Sequence, residues 1–555
     1  MRNDMILRLG LVAAIGTTAM ACNSHPLKAV TLTSEQEKDG NVSVSINRDV
    51  DILFVIDNSR SMGQEQATLA RNFGPLIERL EMDDVRANYR IAVTTTDNGH
   101  LHCVGRDGGS FKATSCLKRH EDFQVTEDGV DKDYFDDACA SICDHEDIEF
   151  LPTTTFFDQE PKVRPWIENI GGVTNLAEGI SPVDAFECLA PQGLTGCGFE
   201  APLESMRLGL LRASNQAEPE FGFMRPGAIL AVIFVTDEAD CSARYSEVKD
   251  PWDISEGSRA LWSEANREAG RLTSEVCWFA GVECEDSPGG GKECWAVDRA
   301  ADATETDDPA KAVLHPLDRY VEFLDSIEQE KQKINPDQEL LVGVLTGVDT
   351  GYTGGAIHYS DGNDEKFLLE TGIGAGCSSS NGEAAPPVRM AEFAQAFLPD
   401  TDETNLYSVC KEDYSDSMSA IAEAIGKQVR PPCVEACVAD ADVTTEGLQH
   451  TCQVEEEYTT VESKVLSDAI PECEVTGESF AIPEGSDACY RSLSDSEGLT
   501  ASTLDDMSEQ CVDEGWNLEL AIERRDGVVA PAGGRVRARC SVSRLAELDC
   551  PNLGR

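Results

Sequence analysis

Two stretches of the chain are continuously apolar and stop on, or just before, an aspartate. The first covers residues 52–56 and ends at Asp57, and the second covers residues 228–235 and is followed by Thr236 and Asp237. Unbroken apolar runs of this length are typical of parallel strands buried on both faces. If the two strands are neighbours, both aspartates reach the carboxyl edge of one sheet, where open α/β sheets bind ligands.

The rest of the first 430 residues alternates between helical and strand patterns. A helical pattern covers 64–80, and an apolar strand pattern at 89–96 should pair with the first strand because sequential elements are usually neighbours. Further helices are expected at 199–212, 317–330, 388–397 and 417–429, and further strands at 339–345 and 406–409. This alternation predicts an α/β, Rossmann-like fold with a central, mostly parallel sheet and helices on both faces.

The turn after the first strand contains the candidate ligands for a metal ion. It reads Asp57-x-Ser59-x-Ser61, which places one carboxylate and two neutral hydroxyls on a short turn. Oxygen ligands of this kind suit a hard divalent cation such as Mg²⁺, which keeps several of its own waters. We therefore expect one cation site at this edge, for Mg²⁺ or, alternatively, Ca²⁺ or Mn²⁺.

These residues resemble the von Willebrand factor A domain and its metal-ion-dependent adhesion site. The resemblance covers roughly residues 48–430, with insertions at about 97–165 and 241–312. It implies that the serines and a threonine ligate the metal, directly or through water, and that the aspartates act partly through water. A carboxylate from a partner would take the open position. The implied site residues are Asp57, Ser59, Ser61, Thr195 and Asp237. Thr174 is the alternative for the threonine.

The first 21 residues form a targeting segment. Arg2 and Arg8 precede a short apolar stretch, residues 9–20, which is followed by Ala21 and Cys22. The stretch is too short to span a bilayer comfortably, as in a cleaved signal. A cysteine after a small residue resembles a bacterial lipoprotein signal, so Cys22 is expected to be acylated; an ordinary secretory signal is the alternative.

With Cys22 acylated, the protein would be exported and lipid-anchored at the outer membrane, on its periplasmic or cell-surface side. Its only membrane contact would be that lipid. Residues 22–47 are expected to form a tether and a lead-in strand at 41–46.

Cysteine usage supports export. The chain has 21 cysteines, and setting Cys22 aside leaves an even number. They fall in even local groups, namely Cys103, Cys116, Cys139 and Cys143; Cys188 and Cys197; Cys241, Cys277, Cys284 and Cys294; Cys377 and Cys410; and eight between Cys433 and Cys550. This grouping predicts about ten disulfides closed mostly within segments, in an oxidising compartment. A pair between Cys188 and Cys197 would hold Thr195 in place. Zinc binding is the weaker alternative because no paired Cys-x2-Cys set is present.

Residues 431–555 are expected to form a small, disulfide-stapled, β-rich domain. The Pro431-Pro432 pair stops the preceding helix and marks the boundary. Alternating patterns at 517–523 and 535–542, separated by turn residues, predict a hairpin. No catalytic motif is apparent in this segment.

The charge of the chain and the absence of catalytic motifs exclude several classes of function. The chain has 102 acidic and 45 basic residues, a net charge of −57, which argues against binding nucleic acid or anionic lipid. No nucleophile elbow and no His-Glu-x-x-His helix is present, so an enzyme is not expected. The favoured function is a cell-envelope binding protein that captures a carboxylate of a protein or glycan partner through the cation. A structural lipoprotein with a metal-stabilised fold is the first alternative, and a metal-dependent hydrolase is the second.

Overall fold

The computed structural model describes residues 41–550 except for 83–84, 100–107, 128, 245–257, 289, 335–338, 380–381, 399–403, 430–432, 443, 445–446, 460–463, 477–478, 497–499, 501, 526–527, 529–530 and 532–533. The strands are β1 (Asn41–Ile46), β2 (Asp49–Ile56), β3 (Asn88–Thr95), β4 (Gln124–Glu127), β5 (Val130–Asp133), β6 (Ile167–Ile170), β7 (Val173–Thr174), β8 (Ile229–Val235), β9 (Val282–Asp286), β10 (Lys292–Ala296), β11 (Leu341–Thr346), β12 (Cys377–Ser378), β13 (Glu383–Ala384), β14 (Leu406–Ser408), β15 (Cys452–Thr459), β16 (Val465–Ile470), β17 (Glu474–Thr476), β18 (Ser479–Ala481), β19 (Ala488–Leu493), β20 (Glu519–Arg524) and β21 (Gly534–Ser541).

The α-helices are α1 (Gly63–Arg71), α2 (Gly74–Glu81), α3 (Pro182–Leu189), α4 (Pro202–Ala213), α5 (Glu264–Ala269), α6 (Glu275–Gly281), α7 (Asp318–Gln332), α8 (Glu365–Thr371), α9 (Val388–Gln395), α10 (Ser415–Gln428), α11 (Glu509–Asp513) and α12 (Ala546–Asp549). Short 3-10 turns lie at Cys116–Lys118, His120–Phe123 and Ser258–Leu261, and a π turn lies at Asp136–Ala140.

A seven-stranded sheet forms the centre of the molecule, in the order β14-β11-β8-β2-β3-β6-β7. The first five strands of that order are parallel; at one edge, β6 pairs antiparallel with β3, and β7 pairs antiparallel with β6. β2 pairs with both β3 and β8, so the expected neighbourhood of the two apolar runs is confirmed. The chain leaves β2 toward one side of the sheet and β8 toward the other, which opens a crevice between their carboxyl ends.

Helices cover both faces of this sheet, as the alternating pattern predicted. The core on one face joins β2 to α1, α2, α3 and α10, and Phe73 stacks on Phe186 with ring centroids 3.7 Å apart. The core on the other face joins the sheet to α4, α7 and α9. The single helix expected at 64–80 is instead two helices, α1 and α2. The break falls just before Pro75, whose missing amide cannot continue a helix but suits a first turn.

The cysteine-rich C-terminal region has its own four-stranded antiparallel sheet, in the order β1-β21-β15-β16. The expected hairpin between 517–523 and 535–542 is wrong, because β20 pairs with β19 while β21 pairs with β1 and β15. Alternation identifies which residues form strands but not which strands pair, and the partners here lie far apart in sequence. The strand at 41–46 is also not a lead-in to the first sheet; it forms an edge of this second sheet.

Only Asn47 and Arg48 separate β1 from β2. This short connection holds the C-terminal sheet at the amino end of β2, and an ion pair of 3.2 Å between Arg86 and Glu523 crosses the same junction. The carboxyl end of β2 is therefore at the opposite end of the central sheet from the C-terminal region.

Disulfides cross-link both parts of the molecule. The bonds are Cys116–Cys139, Cys143–Cys188, Cys241–Cys277, Cys284–Cys294, Cys377–Cys410, Cys433–Cys511, Cys437–Cys550, Cys452–Cys540 and Cys473–Cys489. All cysteines from Cys241 onward therefore pair within their expected groups.

The predicted bond between Cys188 and Cys197 is wrong. Cys188, in the last turn of α3, bonds to Cys143, and Cys197 is disulfide-bonded elsewhere. A disulfide requires nearby Cα atoms and converging side chains, and proximity in sequence guarantees neither. Cys188 is instead buried in a small core with Cys116, Cys139 and Cys143. Cys103, Cys22 and the targeting segment lie outside the described residues. No helix in the described part of the chain has the length and apolar character needed to span a bilayer.

Candidate functional site

The candidate site lies where β2 and β8 end side by side. Asp57 follows directly after β2, and its backbone amide donates to the carbonyl oxygen of Val235 over 2.9 Å. Its carboxylate is buried and accepts two hydrogen bonds, from the Ser59 amide (2.7 Å) and from the Thr236 hydroxyl (2.6 Å). Asp57 is thus held by the protein itself, on both oxygens, and its orientation is fixed before any ligand arrives.

The two serines and the second aspartate converge on the same edge. The hydroxyl oxygens of Ser59 and Ser61 lie 3.2 Å apart, with Ser59 buried and Ser61 exposed. Asp237 is buried and is hydrogen-bonded by the Ser61 side chain, yet its Oδ1 has no hydrogen-bond partner. A buried carboxylate oxygen with no donor is costly, so this atom marks a place where a positive ligand would be stabilised.

Thr195 lies on a loop that packs directly against the Asp57 turn. The amide of Gly196 donates to the carbonyl of Asn58 over 2.9 Å. A Cβ at Gly196 would lie only 2.4 Å from Asn58 Cγ, so this close approach requires glycine. Thr195 is half-buried and lines the same cleft as Ser59, Ser61 and Asp237.

Gln66 locks this loop in place, a role that the sequence did not reveal. Its side-chain amide donates to the carbonyl of Asp57 over 2.7 Å and to that of Gly193 over 3.0 Å. Its carbonyl oxygen accepts from the amides of Gln192 and Gly193. In the sequence, this glutamine on α1 looks like any polar helix residue. Only the fold shows that its side chain joins the Asp57 turn to the loop that carries Thr195.

Thr174, the alternative threonine, does not belong to the site. It lies on β7 opposite Asn169 of β6, which in turn is opposite Tyr89 near the start of β3. Because β2 and β3 are parallel, Thr174 is at the amino end of the central sheet, away from Asp57. Of the two candidate threonines, Thr195 is therefore the one that shares the cleft with the two serines.

The site opens into a cleft of about 1230 Å³. Its walls come from the loop around Thr195, from β4 and β13, from the segment before α6 and from α8. β4 lies within residues 97–165 and the segment before α6 lies within residues 241–312, the two stretches that were expected to be insertions. Both expected insertions thus contribute walls to the cleft.

Three further carboxylates surround Asp57 and Asp237, and no sequence motif marked them. They are Glu65 on α1, Glu200 just before α4, and Glu238 after β8. Burial raises the pKa of Glu65 to about 7 and that of Glu238 to about 8, and the negative charge of Asp57 adds to both shifts. Glu200 accepts a hydrogen bond from Thr96, and burial raises its pKa well above the usual range.

Burial also raises the pKa of the two aspartates. For Asp57, hydrogen bonds from Thr236 and Ser59 act in the opposite direction. For Asp237, the charge of Asp57 reinforces the effect of burial. Within the described residues, no lysine or arginine forms an ion pair with any of the five carboxylates. Buried negative charge without a basic partner is unfavourable, and a bound cation would relieve it.

The donor set fits a hard cation. It consists of carboxylate and hydroxyl oxygens, and unpartnered oxygens remain on Asp237, Glu65 and Glu200. Across the described ranges, no group of three or more His, Cys, Asp and Glu side chains is arranged to hold a metal ion. A cation at this edge would therefore need hydroxyl ligands in addition to the aspartates, as the Asp-x-Ser-x-Ser pattern supplies.

Comparison with known proteins gives little further identification. No family model matches the chain, and no curated protein matches it. Solved structures that match include the pilus adhesin SpaC from Lactobacillus rhamnosus GG in its open conformation, with 9% identity and a TM-score of 0.28 over 91% of this chain and 41% of SpaC. They also include the pilus adhesin RrgA from Streptococcus pneumoniae, with 8% identity and a TM-score of 0.25 over 91% of this chain and 59% of RrgA. The chain thus spans less than two thirds of either protein. TM-scores of this size do not establish a shared fold or a shared role.

Proposed function

We propose that this protein is a cell-envelope binding protein with a von Willebrand factor A-like domain, and that it captures a carboxylate of its partner through a divalent cation. Asp57, Ser59, Ser61, Thr195 and Asp237 would hold the cation. The observation that carries the proposal is the unpartnered Oδ1 of buried Asp237, which lies in one cleft with the hydroxyls of Ser59, Ser61 and Thr195.

The ligand chemistry favours binding over turnover. Neutral hydroxyls transfer little charge to a cation, so the ion would keep an affinity for an external carboxylate. Mg²⁺ is the first choice, with Ca²⁺ or Mn²⁺ as alternatives, because oxygen ligands and retained waters suit these ions. An ion at the topological switch point between β2 and β8 would lie at an open edge of the sheet rather than inside a closed cage, which supports capture of an external group.

The remaining features agree with a location outside the cytoplasm. Disulfides in these numbers are typical of an oxidising compartment. We further propose that Cys22 carries the lipid anchor, which mass spectrometry of the mature N-terminus would test.

The first experiment measures cation binding itself. Titration of Mg²⁺ into chelator-treated protein by calorimetry should detect one site. Ser61→Ala should weaken that binding by about tenfold while the fold is kept, since Ser61 is exposed. Ser326→Ala is the matched control, because Ser326 is an exposed serine on α7. Absence of Mg²⁺, Ca²⁺ and Mn²⁺ binding to the parent protein would refute the proposal.

The second experiment separates capture from a purely structural role for the cation. Burial of five carboxylates without a basic partner also favours the alternative, in which the ion only stabilises the sheet edge. If the cation raises the melting temperature but envelope proteins are retained equally with and without chelator, the structural alternative is correct. Retention that chelator and Ser61→Ala both abolish supports capture.

A further inference from the structure

The cleft that contains the candidate cation site also carries two basic side chains that have no partner among the described residues. Arg60 lies between the two serines, and Lys366 lies in the first turn of α8; both are exposed and line the cleft. In the described part of the chain, neither side chain forms an ion pair or a hydrogen bond with an acidic group. The third basic residue of the cleft, Arg271, is bound to Glu370 at 2.7 Å.

Asp237 Oδ1 is left for the proposed cation, and the other acidic residues of the described cleft all have donors. Asp364 caps α8 by accepting the backbone amides of Lys366 and Phe367, Glu370 accepts from Arg271, Glu238 accepts from the Ser274 hydroxyl, and Glu383 accepts from the Ser378 hydroxyl. Among the described residues that line the cleft, the charged groups that still lack a partner, apart from Asp237, are therefore positive. A ligand that satisfies them must be negative at a second point besides the carboxylate on the cation.

The negative charge of the surrounding surface restricts where an acidic ligand can bind. The chain has a net charge of −57, so an acidic ligand is repelled by most of the surface. Screening limits that repulsion to a distance of about 10 Å at moderate salt. Two basic side chains beside the proposed divalent cation would make the mouth of the cleft locally attractive to an acidic segment, in contrast to the repulsive surface around it.

The size and lining of the cleft indicate a peptide. Its volume of about 1230 Å³ exceeds the range of roughly 300–1,000 Å³ that is usual for small-molecule sites. Four apolar side chains, Val125, Leu194, Leu272 and Phe367, line it together with the charged groups. An acidic protein segment offers both carboxylates and apolar side chains, whereas an acidic glycan offers mainly the former.

We infer that the partner presents an acidic peptide segment with two carboxylates. One would bind the cation, and Arg60 and Lys366 would bind the second. This inference rests on the proposed function, because the first carboxylate needs the cation. It adds the chemical class of the partner and assigns Arg60 and Lys366 as residues that determine specificity.

The test uses two labelled peptides of equal length in a Gly-Ser background, one with a single glutamate and one with two glutamates separated by two or three residues. Binding to the full chain is measured by fluorescence polarisation in Mg²⁺ and in chelator. With Mg²⁺ at low salt, the two-glutamate peptide should bind about fivefold more tightly, which is the effect of two exposed ion pairs. Arg60→Gln with Lys366→Gln should reduce this ratio to about one and leave the single-glutamate peptide nearly unaffected.

The control is the double variant Arg71→Gln with Lys333→Gln. Both residues are exposed and lie outside the cleft, Arg71 at the end of α1 and Lys333 directly after α7. The variant therefore changes net charge equally and should keep the fivefold ratio. If both peptides bind equally well in Mg²⁺, the inference is refuted while the proposed function stands. If neither peptide binds in a Mg²⁺-dependent way, the proposed function fails as well. Stronger competition by a galacturonic acid oligomer than by the two-glutamate peptide would overturn the peptide assignment.

Discussion

Replacing Glu65 by Gln should stabilise the cation-free protein, and increasingly so as the pH rises. Glu65 is buried on α1, and burial raises its pKa from 4.5 to about 7, with the charge of Asp57 adding to the shift. Because the folded-state pKa is higher than the unfolded-state pKa, ionised Glu65 opposes folding. Its contribution is neutral well below pH 4.5 and becomes fully unfavourable as the pH rises through 7.

The size of the effect follows from the shift. One pKa unit corresponds to about 1.4 kcal/mol, so ionisation of Glu65 costs about 3 kcal/mol near pH 8 and about 1 kcal/mol near pH 5. The glutamine keeps a side-chain oxygen but cannot ionise, so Glu65→Gln should recover most of this free energy in chelator. A bound divalent cation offsets the same charge, and Mg²⁺ should therefore reduce the difference between the variant and the parent.

The assay is urea denaturation in chelator and in Mg²⁺, near pH 5 and near pH 8. Glu78→Gln is the matched control, because Glu78 is an exposed glutamate on the adjacent helix α2. The variant should gain stability over the parent in chelator near pH 8, and the control should not. A loss of stability in Glu65→Gln near pH 8, or a gain that does not depend on pH, would refute this account of the buried carboxylates.

Two further predictions concern the loop and the disulfide that support the site. Gly196→Ala should weaken Mg²⁺ binding in calorimetry, because the added Cβ would lie 2.4 Å from Asn58 Cγ. The control Gly198→Ala should bind Mg²⁺ like the parent, since nothing lies within 4 Å of a Cβ at that position. Equal binding by both variants would contradict the proposed loop position. Peptide mapping should find a bond between Cys143 and Cys188, which closes a loop with a sequence separation of 45. Replacing both cysteines by Ser should cost about 4 kcal/mol of unfolding free energy by the loop-entropy relation. An unchanged denaturation midpoint would show that the bond is not stabilising.

The sequence alone determined the local elements at the centre of the molecule. The continuous apolar runs of β2 and β8 identified strands buried on both faces, because both faces of a parallel sheet are covered by helices. It also determined that Asp57 and Asp237 come within two residues of the ends of those strands, and adjacency of parallel strands brings them to one edge. These inferences succeed because they depend on the period of the pattern and on short connections.

Only the tertiary structure decided which distant segments meet. Cys188 bonds to Cys143 rather than to its neighbour in sequence, and β1 and β21 pair across nearly the whole chain. The roles of Gln66 and Glu200 also depend on contacts between separate elements, which leave no periodic signal in the chain. Pairing partners are set by the packing of the completed core, so a single sequence shows which residues can form a strand or a bond but not the partner that each will have.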